Sequence, residues 1–150
     1  MFRSFITMVT IIGSLMVSFG QQKEAPVQEI FMKGKEIFLR QSSAQVVQLT
    51  RDEKPKYNVQ LSPEKQWVVY HGDPIWSEEA PAADQFIFTV IDLQDFTRKE
   101  IGFSTSRDSK IEKVEWLGPD RFGVLAPFLW AYRYAIFDAK AASRNNLSDF

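Results

Sequence analysis

The sequence predicts an all-β protein built from small antiparallel sheets, and three observations carry that expectation. Nine short apolar segments are separated by turn-forming residues, the pattern of many short strands. Residues 86–93, "FIFTVIDL", are apolar on both sides of a strand. Landmarks in the chain also recur about every fifty residues. The 13 Phe, four Trp and four Tyr suit this class, because aromatic side chains pack well on a pleated surface.

The elements follow in chain order. Residues 1–20 read as an export signal ahead of the fold. Arg3 is the positive start, residues 5–17 are apolar and uncharged, and Ser18 and Gly20 are the small residues of a cleavage site after Gly20. An uncleaved N-terminal anchor is the alternative. No Cys stands there to take a lipid. Residues 21–150 then form one domain, long enough to enclose a core.

Strands are expected at 36–40, 45–50, 57–61, 67–70, 86–93, 99–103, 111–117, 121–126 and 133–137. Turns are expected at Gln41-Ser42-Ser43, Ser62-Pro63-Glu64-Lys65 and Gly118-Pro119-Asp120. In 86–93, Phe86, Phe88 and Val90 point one way, and Ile87, Ile91 and Leu93 the other. A strand with two apolar faces needs cover on both. The one weak helical segment, 139–146, is too short to supply it, so another sheet on each side is expected.

The stretch "NVQLSPEKQWVVYHG" (58–72) has a looser second copy, "KVEWLGPDRFGVLAP" (113–127). Ser62-Pro63 and Gly118-Pro119 lie 56 residues apart, each followed by an acidic residue and a strand. Proline at the first corner presets φ for a type I turn. Aliphatic strands ending in a polar break recur at 36–41, 88–94 and 134–140, with Asp92 and Asp138 46 residues apart. A period of about fifty is that of propeller blades.

Residues 34–73 resemble the blade junction of TolB-like and dipeptidyl-peptidase-type β-propellers. The matching residues are Ile37 to Leu39, Gln48-Leu49-Thr50, Leu61-Ser62-Pro63 and Trp67-Val68-Val69-Tyr70. The chain has Glu64-Lys65-Gln66 where the family favours Asp-Gly-Lys. Closing a propeller takes at least about four blades, and 130 residues hold two to three. The expected architecture is therefore propeller-blade-like antiparallel sheets, too few for a closed ring, in an open sandwich of two or three small sheets. Two copies completing a ring, and a chain that is one piece of a longer protein, are the other outcomes.

Composition narrows function. Residues 21–150 carry 17 basic and 19 acidic residues, interspersed, so no basic stripe offers itself to nucleic acid. The absence of Cys removes disulfides and thiolate metal sites, and suits an exported bacterial, periplasmic or secreted protein. His71 is the one His, no Gly-x-Ser-x-Gly elbow occurs, and the carboxylates are scattered. No catalytic residue, metal or cofactor is expected, and His71 reads as a strand end.

Binding candidates lie in two connections, 71–84 and 127–133. A propeller resemblance implies that both emerge on one face, bringing Trp76, Phe128, Trp130 and Tyr132 near Glu78, Glu79, Asp84 and Arg133. Aromatic residues with Arg are the material of protein-binding hot spots. Alternation of Phe128, Trp130 and Tyr132 also reads as one strand with a buried face. The expected function is a non-catalytic envelope binding or scaffold protein with a protein partner. A homodimer is a further expectation, and no membrane contact is expected once the signal is removed. The alternatives are an inhibitor or immunity protein against an envelope hydrolase, and a glycan-binding accessory module.

Overall fold

Strand pairing dominates the computed structural model, which describes residues 27–42, 44–76, 83–141 and 143–145. Among them the regular elements are all β-strands. The first sheet is β1 (Val27–Lys33), β2 (Glu36–Gln41) and β3 (Val46–Gln48), in that spatial order. The middle sheet holds β4 (Tyr57–Leu61), β5 (Trp67–His71), β6 (Ile75–Trp76), β7 (Ala83–Asp92) and β8 (Arg98–Ser106). The last sheet is β9 (Lys113–Trp116), β10 (Arg121–Phe128), β11 (Ala131–Asp138) and β12 (Ser143–Asn145). Every pairing is antiparallel and no sheet closes into a barrel.

The middle sheet explains the two-faced run. Phe86, Phe88 and Val90 of β7 join Trp67, Val69, Ile101 and Phe103 against Val114, Phe122, Val124 and Phe137 of the last sheet. On the other face Ile91 and Leu93 join Val68 and Tyr70 against Ile37, Leu39 and Leu49 of the first sheet. Phe88 and Ile91 are both fully buried. Rings cross the gap to the last sheet: Phe88 lies 6.1 Å from Phe122 and 6.3 Å from Phe137, and Phe122 stacks on Phe137 at 5.4 Å. Rings at such spacings add specific attraction to the area they bury.

The repeat seen in sequence is a repeat of bonds. Trp67 opposes Asp92 in the middle sheet, and Arg121 opposes Asp138 in the last. Just past each Asp, the amide of Leu93 donates to the Gln66 carbonyl at 2.8 Å and that of Ala139 to the Asp120 carbonyl at 2.7 Å. Each Asp also turns the chain, Asp92 by accepting from the Gln94 amide and Asp138 from the Ala141 amide.

The 62–66 turn shows how the missing glycine is replaced. Ser62 Oγ accepts from the amides of Gln66 and Trp67, at 3.1 and 3.0 Å, and the Lys65 amide donates to the Ser62 carbonyl. Lys65 itself takes the left-handed conformation, with φ 56°. The 118–120 turn has no such hydroxyl and is closed instead by the Leu117 amide on the Arg121 carbonyl.

A buried polar latch joins the first sheet to the connector that enters the middle one. The Thr50 hydroxyl donates to Glu36 and accepts from the Ile37 amide, while the Glu53 amide donates to the other Glu36 oxygen. The buried Lys56 ammonium bonds Asp52 at 2.5 Å and the carbonyls of Lys35 and Lys54, with Glu36 at 3.5 Å. The Thr50 hydrogen bond, with help from the Glu53 amide and Lys56, holds the Glu36 carboxyl below its usual range against the opposing effect of burial.

Three strands were not legible in sequence. β1 and β6 had no clear period, and β12 overlaps the expected helical segment. That segment is corrected: residues 139–141 form a turn, and Ser143–Asn145 pairs with Ile136 to Asp138. The Asp138 side chain reverses the chain before a helical turn closes. The expected signal, residues 1–20, lies outside the described residues.

Two substitutions test the packing. Phe88→Ala is expected to lower the unfolding free energy by about 3–5 kcal/mol, read by denaturant titration. Lys65→Gly is expected to raise it by about 0.5–1 kcal/mol, because glycine removes the left-handed penalty while adding unfolded-state freedom.

Candidate functional site

The site is built at the end of the middle and last sheets where β7 begins. The second strand of the middle sheet is interrupted at Gly72-Asp73-Pro74 and resumes as β6. Trp76 then opposes Asp84, and Asp84 opposes Thr105 across the sheet. Directly opposed residues share a face, so these three point toward the last sheet. Asp84 is buried, and its Oδ2 accepts from the Asp108 amide at 2.8 Å, which holds Asp108 in a left-handed turn with φ 60°. Trp76 extends past the edge of the core and is 50% exposed.

The 127–133 connection is a two-residue turn, Leu129-Trp130, between β10 and β11. Leu129 takes φ 55°, and its amide donates to the Ser106 hydroxyl at the end of β8. Arg133 turns inward: its guanidinium stands 5.7 Å from the Phe103 ring and 5.1 Å from the Phe128 ring, and it donates to the Ser104 carbonyl at 3.5 Å. These contacts tie the turn to the middle sheet. They leave Trp130 98% exposed at its tip and Tyr132 59% exposed beside it.

Of the eight residues expected from sequence, Trp76, Asp84, Phe128, Trp130, Tyr132 and Arg133 come to this one end of the two sheets. Glu78 and Glu79 lie outside the described residues. The six divide by role. Asp84, Phe128 and Arg133 build the support, while Trp76, Trp130 and Tyr132 face outward. The alternation reading is corrected, since the turn breaks it: Phe128 faces the middle sheet and Tyr132 opposes Pro127 on the other face of its sheet. Ile75 and Leu129 are also exposed at this end and were not singled out. Their place beside a tryptophan was the available signal.

His71 sits deeper in the same half of the middle sheet. Nδ1 donates to the Gly72 carbonyl at 2.8 Å, which leaves Nε2 to accept from the Asn58 amide at 3.0 Å. Phe86 and Phe88 crowd the ring at 5.2 Å each. Burial pushes its pKa down, opposed by the Gly72 carbonyl and the Asp73 charge. The folded state therefore disfavours imidazolium. Stability is expected to be full above the ordinary value of 6.5 and to fall as the pH drops from there toward the lowered folded value. Thermal unfolding across that range checks this, and His71→Gln is expected to flatten the slope.

No protein-family model matches the sequence, and no curated protein is similar to it in sequence. In structure the chain is similar to dipeptidyl peptidase 4 of Porphyromonas gingivalis, with a TM-score of 0.60 over 77% of this chain at 11% identity. The match spans 23% of that longer protein, which has a β-propeller domain. At this identity the likeness is one of fold: small antiparallel sheets stacked face to face.

Proposed function

We propose that this chain is an exported, non-catalytic binding protein of the cell envelope, recognising a protein partner through the aromatic end of its middle and last sheets. The observation that carries the reading is Trp130, which is 98% exposed on a two-residue turn that the Ser106 hydroxyl and Arg133 hold in place. A tryptophan on a flexible tip loses entropy when it docks, whereas one on a braced turn is already arranged. Trp76, Tyr132, Leu129 and Ile75 add apolar surface at the same end. Grouped exposed apolar residues of this kind mark interaction sites. The uncharged apolar run at residues 5–17 behind Arg3 supports export.

The same exposed indole suits stacking on a sugar ring, so the test separates the two ligands. A photo-crosslinking residue is placed at position 132 of the full chain, expressed in a bacterium that exports it. The expected result is one discrete protein adduct. Trp130→Ala and Trp76→Ala are each expected to weaken that adduct by about 30-fold, the effect of losing a hot-spot side chain of about 2 kcal/mol. Their melting temperatures should stay within about 2 °C of the parent, since neither indole lies in the core. Absence of the adduct, with tryptophan-dependent sedimentation on peptidoglycan instead, would replace the protein partner by a glycan.

A further inference from the structure

At the opposite end of β7 an open cleft of about 410 Å3 lies between the first and middle sheets. Its floor is apolar, made by Val47, Leu49 and Ile91, the last two buried in the core between these sheets. One wall is the ring of Phe96 in the turn between β7 and β8. Phe96 holds φ 59°, a left-handed position where Gly or Asn would fit without strain and where a bulky aromatic residue is uncommon. The chain thus spends local strain to set an aromatic ring, 39% exposed, against the cleft.

The polar part of the lining is Arg51, Arg98, Asp52 and Gln48, whose side-chain amide donates to the Thr50 carbonyl at 2.8 Å. Arg98 is anchored at one end, where Nη2 donates to the Leu49 carbonyl, so the remaining edge of its planar fork is held at the cleft. Arg51 is exposed, and among the described residues it has no ion pair or hydrogen bond. The one carboxylate in the lining, Asp52, is committed to the Lys56 ammonium at 2.5 Å. Neither arginine has a carboxylate within ion-pair distance among the described residues. The cleft therefore joins an apolar floor, an aromatic wall and two guanidinium groups, with one carboxylate, Asp52, held on Lys56.

We propose that this cleft is a binding site for a small carboxylate with an apolar or aromatic body. The carboxylate accepts charge-assisted hydrogen bonds from Arg51 and Arg98, a geometry for which guanidinium is suited. The body lies over Val47 and Ile91 and against the Phe96 ring. The volume suits one molecule of that size. The same group is presented by a free acid and by the last residue of a peptide. The site is remote from the aromatic end, and the proposal stands apart from the partner surface there.

Calorimetric titration of the purified chain with phenylacetate, phenylacetamide, inorganic phosphate and a tripeptide ending in Phe tests it. Phenylacetate is expected to bind at one site per chain, with the amide and phosphate each at least about tenfold weaker, the scale of one charge-assisted bond. Arg51→Ala should weaken phenylacetate by about tenfold. Phe96→Gly relieves the backbone and so folds, yet should also weaken phenylacetate while leaving acetate unchanged. Tighter binding of the tripeptide than of phenylacetate identifies a chain end as the ligand, and weaker binding identifies a free acid. Equal affinity for acid and amide, equal affinity for phosphate, or an Arg51→Ala variant that binds like the parent would overturn the proposal.

Discussion

The rest of the molecule depends on β7 being apolar on both faces. A strand of this kind has no side to give to water, so a sheet must lie against each. Phe88 and Val90 bring the last sheet onto one face, and Ile91 and Leu93 bring the first sheet onto the other. The three-layer stack therefore has a single organising element. Its neighbours in the middle sheet repeat the division, with Trp67 and Val69 on one side and Val68 and Tyr70 on the other.

Stacking alone would let the layers slide, since apolar contact has little direction. Polar contacts set the alignment. The Glu36–Thr50–Lys56 network fixes the first sheet to the connector entering the middle sheet. Ser106 with the Leu129 amide, and Arg133 with the Ser104 carbonyl, fix the last sheet to β8. The Gln60 side chain adds a third tie, donating to the Val114 carbonyl at 2.7 Å. On the far side of the last sheet the Tyr134 ring lies across Gly123, a place that a Cβ would fill, and its hydroxyl meets Glu115 at 3.3 Å.

The same ties shape the two ends of the stack. At one end they brace a turn whose indole projects outward. At the other, Arg98 reaches from β8 to the Leu49 carbonyl and leaves a gap between sheets with arginine at its rim. Both features follow from how adjacent sheets are joined at their margins, where the apolar core has already ended. Each has its own chemistry, aromatic at one end and cationic with an aromatic wall at the other.

Much of this was readable from local pattern. All nine expected strands occur, because alternation and turn residues act over a few positions. The 46-residue spacing of Asp92 and Asp138 was visible in the sequence, whereas their pairing with the starts of β5 and β10 emerged only from the register. The two- and three-residue strands β6 and β12 were not readable, since their partners rather than their own sequence make them strands, and the seven-residue β1 was not read either. Eight candidate residues were named from the sequence, and the six among the described residues lie at one end of the two sheets, yet their division into supports and outward-facing groups could not be read in sequence. A side chain's direction beyond a tight turn depends on cross-strand register. Likewise the cleft unites Arg51 with Arg98 across 47 positions of sequence. The sequence by itself determined strands, turns and the need for cover on two faces, all short-range consequences of side-chain period. Tertiary structure alone decided which groups meet at the sheet ends, because that is settled by packing between segments far apart in the chain.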